Sequence, residues 1–141
     1  MFNKKFEERL VAWQQFRLAL ETSSRPIEDA LEFYKTAPLV TIQVDPWDPG
    51  TWLDPWELLY ENQYCDFSKI LAICYSLQLT ERFMTEDFEI HIYTNNEESK
   101  TIYLLFFQDK VIGYDWSNII NRNDLPDSFE PQKTYTMPKL T

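Results

Sequence analysis

The sequence predicts a single α+β domain in which helices come first and a cysteine-bearing helix then packs on a small antiparallel sheet. Three observations carry this prediction. Apolar residues recur at helical spacing through residues 3–37 and again through 65–79. After Thr80 the period drops to two. Between the two helical parts, Asp54, Pro55 and Glu57 spell a helix start, with Asp as N-cap, Pro at the first helical position and Glu closing a capping box. At 141 residues the chain is about one domain's worth and can bury a real core. It divides into a helical N-terminal part (1–37), a core (38–122) and a polar, proline-punctuated tail (123–141) expected to lie extended on the surface.

Taken in order, residues 3–21 read as an amphipathic helix with Phe6, Leu10, Trp13 and Leu20 on one face and Phe16 beside it. Ser24 is expected to cap a second helix that has Pro26 near its first position. Ile27, Ala30, Leu31 and Tyr34 form its buried stripe, and Ala37-Pro38 ends it. The β-branched run 39–44 predicts a short strand. DPWDPGTW is rigid irregular chain, with Trp47, Trp52 and Trp56 expected to pin it to the helices. Helices at 55–61 and 65–79 follow, the second with Ile70, Ile73, Cys74 and Leu77 as its apolar face. Phe88, Ile90 and Ile92 alternate with Glu89, His91 and Tyr93, so one face of that strand is buried and His91 belongs to the other. The near-continuous apolar run 101–107 is a central strand, and 111–116 completes a three-stranded meander. In that meander His91 is expected opposite about Tyr103.

Charge narrows the function. Residues 1–25 carry five basic against three acidic residues, net +2, whereas 26–68 carry Lys35 against nine acids, net −8. Residues 69–141 add −4, for a total of −10. No basic stripe is formed, which argues against nucleic acid and anionic membranes and favours a protein partner, a basic one above all. No phosphate-cradling glycine motif and no apolar run of about 18 residues occurs. The N-terminus lacks an apolar signal core, so the chain is expected to stay in a cytoplasm or inside an assembly. Cys65 and Cys74 fit a reducing compartment; nine residues apart on one helix they face opposite ways and should not bridge.

A cysteine at a helix start, followed by a sheet carrying histidine and aspartate, is the layout of cysteine hydrolases and transferases. The candidates are Cys65 as nucleophile, His91 as the proton shuttle and Asp115 as the group that orients the ring; His91 is the single histidine. Asp45, Asp48, Asp54 and Glu57 match no calcium loop and read as turn and cap residues, and one histidine with two opposed cysteines is too few ligands for zinc. No metal or cofactor is expected. Trp47, Trp52 and Trp56, with Asp54 beside them, are binding-surface candidates as well as packing residues.

WLDPWELLYENQYCDFSKILAICYSLQL resembles the nucleophile segment of bacterial transglutaminase-like cysteine peptidases, with Trp52, Pro55, Glu57, Leu58, Cys65, Asp66, Phe67 and Lys69 in matching places. The resemblance covers roughly 50–118 and is specific over Trp52–Phe67. It implies a papain-like α+β fold, Cys65 at the nucleophile position and Asp115, in GYDW, at the family's aspartate. The family's histidine opens the strand before that aspartate, yet here the strand opens Lys100-Thr101-Ile102, and the family's Gly-Asp before cysteine is Gln63-Tyr64. The expectation is therefore a non-catalytic binding or assembly protein on a degenerate scaffold. Its length, acidity and WDPGTWLDPWELL segment resemble phage-encoded proteins, which implies a virion or phage-assembly component. The alternative is a cysteine hydrolase, peptidase or acyl transferase using Cys65, His91 and Asp115, with backbone N–H groups at the helix start as oxyanion hole.

Overall fold

The computed structural model describes residues 1–41, 44–115 and 118–140, apart from the side chains of Asp115 and Asn118. Helices α1 (Phe6–Thr22), α2 (Pro26–Tyr34) and α3 (Pro55–Glu61) form one layer over α4 (Asp66–Gln78). Behind α4 lies a sheet of β1 (Phe88–Asn95), β2 (Lys100–Phe107), β3 (Lys110–Asp115), β4 (Asn118–Asn121) and β5 (Phe129–Thr136). Its order is β4-β3-β2-β1-β5, and every pairing is antiparallel. No helix among the described residues is long and apolar enough to cross a membrane.

The middle layer explains itself from composition. From Phe67 to Gln78 every residue of α4 is buried, so the helix is covered all round rather than along a stripe. Its polar residues are matched accordingly. Ser76 Oγ accepts the Trp13 indole N–H at 2.9 Å, lies 3.0 Å from the Tyr34 hydroxyl and donates to the Ala72 carbonyl. Gln78 donates to the Pro138 carbonyl. Burial pushes the Tyr34 phenol and the Cys74 thiol up, which fits Cys74 as a small core residue.

Asp54 caps α3 as its sequence requires: its carboxylate accepts the Glu57 N–H at 2.8 Å and Glu57 accepts the Asp54 N–H at 3.0 Å. The far end of this seven-residue helix is held from α1. The buried Arg9 guanidinium donates to the carbonyls of Leu59 at 2.9 Å and Tyr60 at 3.1 Å, and to Lys4.

Four expectations need correction. Ser24 does not cap α2; Arg25 is the N-cap, with no side-chain cap bond, and the Ser23 hydroxyl accepts the Arg25 N–H instead. The described residues of 39–44 do not form the short strand. Leu39 makes one parallel bridge to Tyr64, and Ile42 and Gln43 lie outside the described residues. The tail is not a loose extension, because its polar residues 129–136 form β5 on the free edge of β1. His91 pairs with Leu104 rather than Tyr103, a register set by the tight connection that pairs Asn95 with Lys100 and places Ser99 at positive φ.

Candidate active-site cleft

Cys65 is the N-cap of α4 and is nearly buried. Its N–H donates to the Ser68 hydroxyl at 2.8 Å, and the same oxygen lies 3.3 Å from Sγ. The cysteine opens onto a cavity of about 690 Å³ lined by Asp45, Pro46 and Thr51 of the preceding loop, Asp66 and Phe67 of α4, and Thr101 and Tyr103 of β2. Such a volume suits a small molecule or a few residues of peptide. Tyr103 packs edge-on to Phe67 at 5.3 Å, and burial, with Cys65, Asp66 and Asp45 nearby, raises its phenol.

Strand alternation decides what else reaches this cleft. Thr101, Tyr103, Leu105 and Phe107 share the face of β2 toward α4, and Ile102, Leu104 and Phe106 share the other. Of the residues that open β2, where the resemblance would put a histidine, Thr101 stands on the Cys65 side and Ile102 on the other. His91 is on the opposite face. Its ring stacks on Phe106 at 3.7 Å, and Nε2 meets the Glu89 carboxylate at 3.0 Å. Its Nδ1 is buried without a hydrogen-bond partner, and burial lowers its pKa, only partly offset by Glu89. The structure does not bring His91 to Cys65, because an odd-numbered step from Ile90 and Ile92 must turn away from α4. Asp115 ends β3, where it pairs with Asn118; its side chain lies outside the described residues.

The tryptophans divide by role. Trp52 is held between Phe67 at 4.9 Å and Tyr135 at 5.0 Å and donates its indole N–H to the Asp45 carbonyl. Trp56 sits edge-on to Trp13 on the helical side, and about half its surface is exposed. Trp47 is exposed, and its carbonyl accepts the Tyr135 hydroxyl. Only Trp52 pins the loop to α4. The loop carboxylates serve the backbone: Asp45 accepts from Trp47 N–H and Asp48 from Gly50 N–H, at 3.0 Å each. No cluster of metal-ligating side chains occurs among the described residues.

Sequence reasoning missed Asp45, Thr101 and Tyr103 as cleft residues. Alternation along β2 was the available signal, since Thr101 and Tyr103 are four and two residues before the buried Leu105.

No protein-family model matches the chain, and no curated protein matches it. Among solved structures it is similar to Legionella pneumophila LapG, with a TM-score of 0.68 over 92% of this chain and 75% of that one at 15% identity. A second structure, of calcium-bound Legionella pneumophila LapG, matches with a TM-score of 0.65 over 94% and 76% of the two chains at 13% identity. The chain has the transglutaminase-like, papain-type α+β fold.

Proposed function

We propose that this chain is a non-catalytic binding protein that keeps a transglutaminase-like scaffold and uses the Cys65 cleft to hold a segment of a partner protein. One observation supports the reading: the single histidine is stacked on Phe106 across the sheet from Cys65, and β2 faces the cleft with Thr101 and Tyr103 rather than an imidazole. A nucleophilic thiol needs a base within hydrogen-bond reach. The cleft is lined by Asp45 and Asp66 with no lysine or arginine, which favours a basic segment. A phage virion or assembly role is the finer form of this reading and rests on the WDPGTWLDPWELL resemblance.

The second reading, a cysteine hydrolase or acyl transferase, is favoured by Cys65 at a helix start facing a cavity of about 690 Å³ in a transglutaminase-like fold.

Iodoacetamide labelling of Cys65 against pH separates the two. The binding reading expects slow labelling whose pH midpoint is the same in wild type and His91→Ala. Thr101→His, which restores an imidazole on the correct face, should move the midpoint down. A wild-type midpoint that rises in His91→Ala would overturn the binding reading.

A further inference from the structure

A second cavity, of about 490 Å³, lies away from Cys65, between the loop that leads into α3 and the C-terminal strand. Trp52, Pro55, Tyr75, Tyr135, Met137 and Leu140 make it largely apolar, and Asp54 and Lys133 stand in its wall. It is preformed. Trp52 is fixed by its two ring contacts and its bond to Asp45, and the Tyr75 hydroxyl donates to the Leu53 carbonyl at 2.8 Å. A site that needs no ordering loses less free energy on binding.

The groove runs along an open sheet edge. β5 is the outermost strand on its side. Met137 N–H donates to the Phe88 carbonyl at 2.9 Å, which sets the phase of the ladder. In antiparallel pairing both backbone groups of a residue point the same way, and the direction alternates. Tyr135 and Met137 therefore turn their backbone to β1, and Thr134 and Thr136, both exposed, turn theirs outward along the groove. Pro131 and Lys133 guard the first half of the strand as edge residues commonly do; the threonines leave the second half open.

The surroundings choose the partner. Asp54 lies in the groove, and Asp45 and Asp48 are close enough to Tyr135 to add to the effect of burial in raising its phenol. Against the one Lys133 in the wall, a second copy of a chain carrying net charge −10 would bring like charge to Asp54 and to nearby Asp45 and Asp48. We infer that this groove takes an extended segment of a partner protein as an added strand on Thr134–Thr136, with apolar side chains seated over Trp52 and Tyr75 and basic side chains beside Asp54. Backbone pairing supplies register and alternate side chains supply specificity. The site is separate from the Cys65 cleft, so either can fail alone.

Fluorescein-labelled Lys-Val-Lys-Phe-Lys-Val-Lys serves as probe, titrated with the full chain and followed by anisotropy and by amide hydrogen exchange. Saturable binding is expected, with slowed exchange at Thr134 and Thr136. The Glu-for-Lys peptide should bind at least about tenfold more weakly, and a peptide N-methylated at alternate residues should lose roughly as much. Thr134→Pro removes an outward N–H that β1 does not use and should weaken binding similarly. The N-methylated peptide tests the pairing without altering the protein. Absence of saturable binding, equal affinity for the acidic peptide, indifference to N-methylation, or a dimer by light scattering that Thr134→Pro dissolves would each overturn the inference.

Discussion

On the inner face of the sheet, Thr101 and Tyr103 front the Cys65 cleft, while Leu105, Phe107 and Ile112 join the core around α4. On the outer face Tyr93, Leu104, Phe106, Val111 and Phe129 form a second, smaller cluster, roofed in part by Ile120 and Leu125. Both faces are apolar, and they differ in what they can do. The inner face has a thiol and a cavity without an imidazole; the outer face has the imidazole without a thiol, stacked on Phe106 with Tyr93 alongside. Moving a catalytic group by one residue along a strand moves it to the other side of the sheet, so a histidine nearby in sequence is no substitute for one at Thr101.

Truncating each face is the sharpest way to break this comparison. Phe107 is fully buried, stacked on Phe88 at 4.6 Å and edge-on to Phe83, so Phe107→Ala should cost about 4 kcal/mol in urea unfolding. Gly113→Ala tests how closely β3 approaches the inner layer. Its φ is 107°, and a Cβ there would lie 2.5 Å from the Tyr103 carbonyl oxygen and 2.8 Å from Ile70 Cδ1. Positive φ and the clash together predict a loss of about 3 kcal/mol by the same measurement. Phe106→Ala on the outer face, which removes the ring between His91 and the Arg122 guanidinium, should cost about 2 kcal/mol, because its cavity opens toward solvent. Equal losses at Phe106 and Phe107 would contradict the ranking of the two faces.

The smallest effect is in pH. The groups around His91 are Glu89 and Tyr93 on its own strand, Leu104 and Phe106 on β2, Thr134 on β5, and Arg122. Burial lowers its pKa, Glu89 raises it in part and Arg122 lowers it further. Because the folded-state value is depressed, the unfolded chain binds the proton more readily. Stability contributed by neutral His91 is full above the ordinary value of about 6.5 and is lost as pH falls through the window below it. His91→Phe should flatten the pH dependence of the urea midpoint below about pH 6.5. An unchanged slope would show that another group governs that window.

Much of the fold was legible because its signals are local. Asp54, Pro55 and Glu57 gave α3 its bounds, and the alternation from Phe88 to Tyr93 placed His91 on the far face before any coordinates. The fold class came from the residues around Cys65. What could not be read was non-local or polar. β5 has few apolar residues, since an exposed edge strand owes its place to backbone pairing with β1 rather than to burial. The described residues of 39–44 have strand propensity without a strand, because Leu39 bridges Tyr64 at a single point and no longer ladder follows. The cleft needed Asp45 brought beside Thr101, a meeting of residues more than fifty positions apart that no local pattern announces.

The Arg9 clamp has a kinetic consequence. Helices as short as α3 do not persist alone in water, and its last carbonyls find donors in a guanidinium fifty residues earlier in the chain. Closing so long a loop before any reward is slow relative to local helix formation. α3 should therefore consolidate only after α1 has docked, and the connection from Asn62 to Cys65 inherits that order. The thiol reaches its seat at the head of α4 as a late event of folding, timed by an arginine that never touches it.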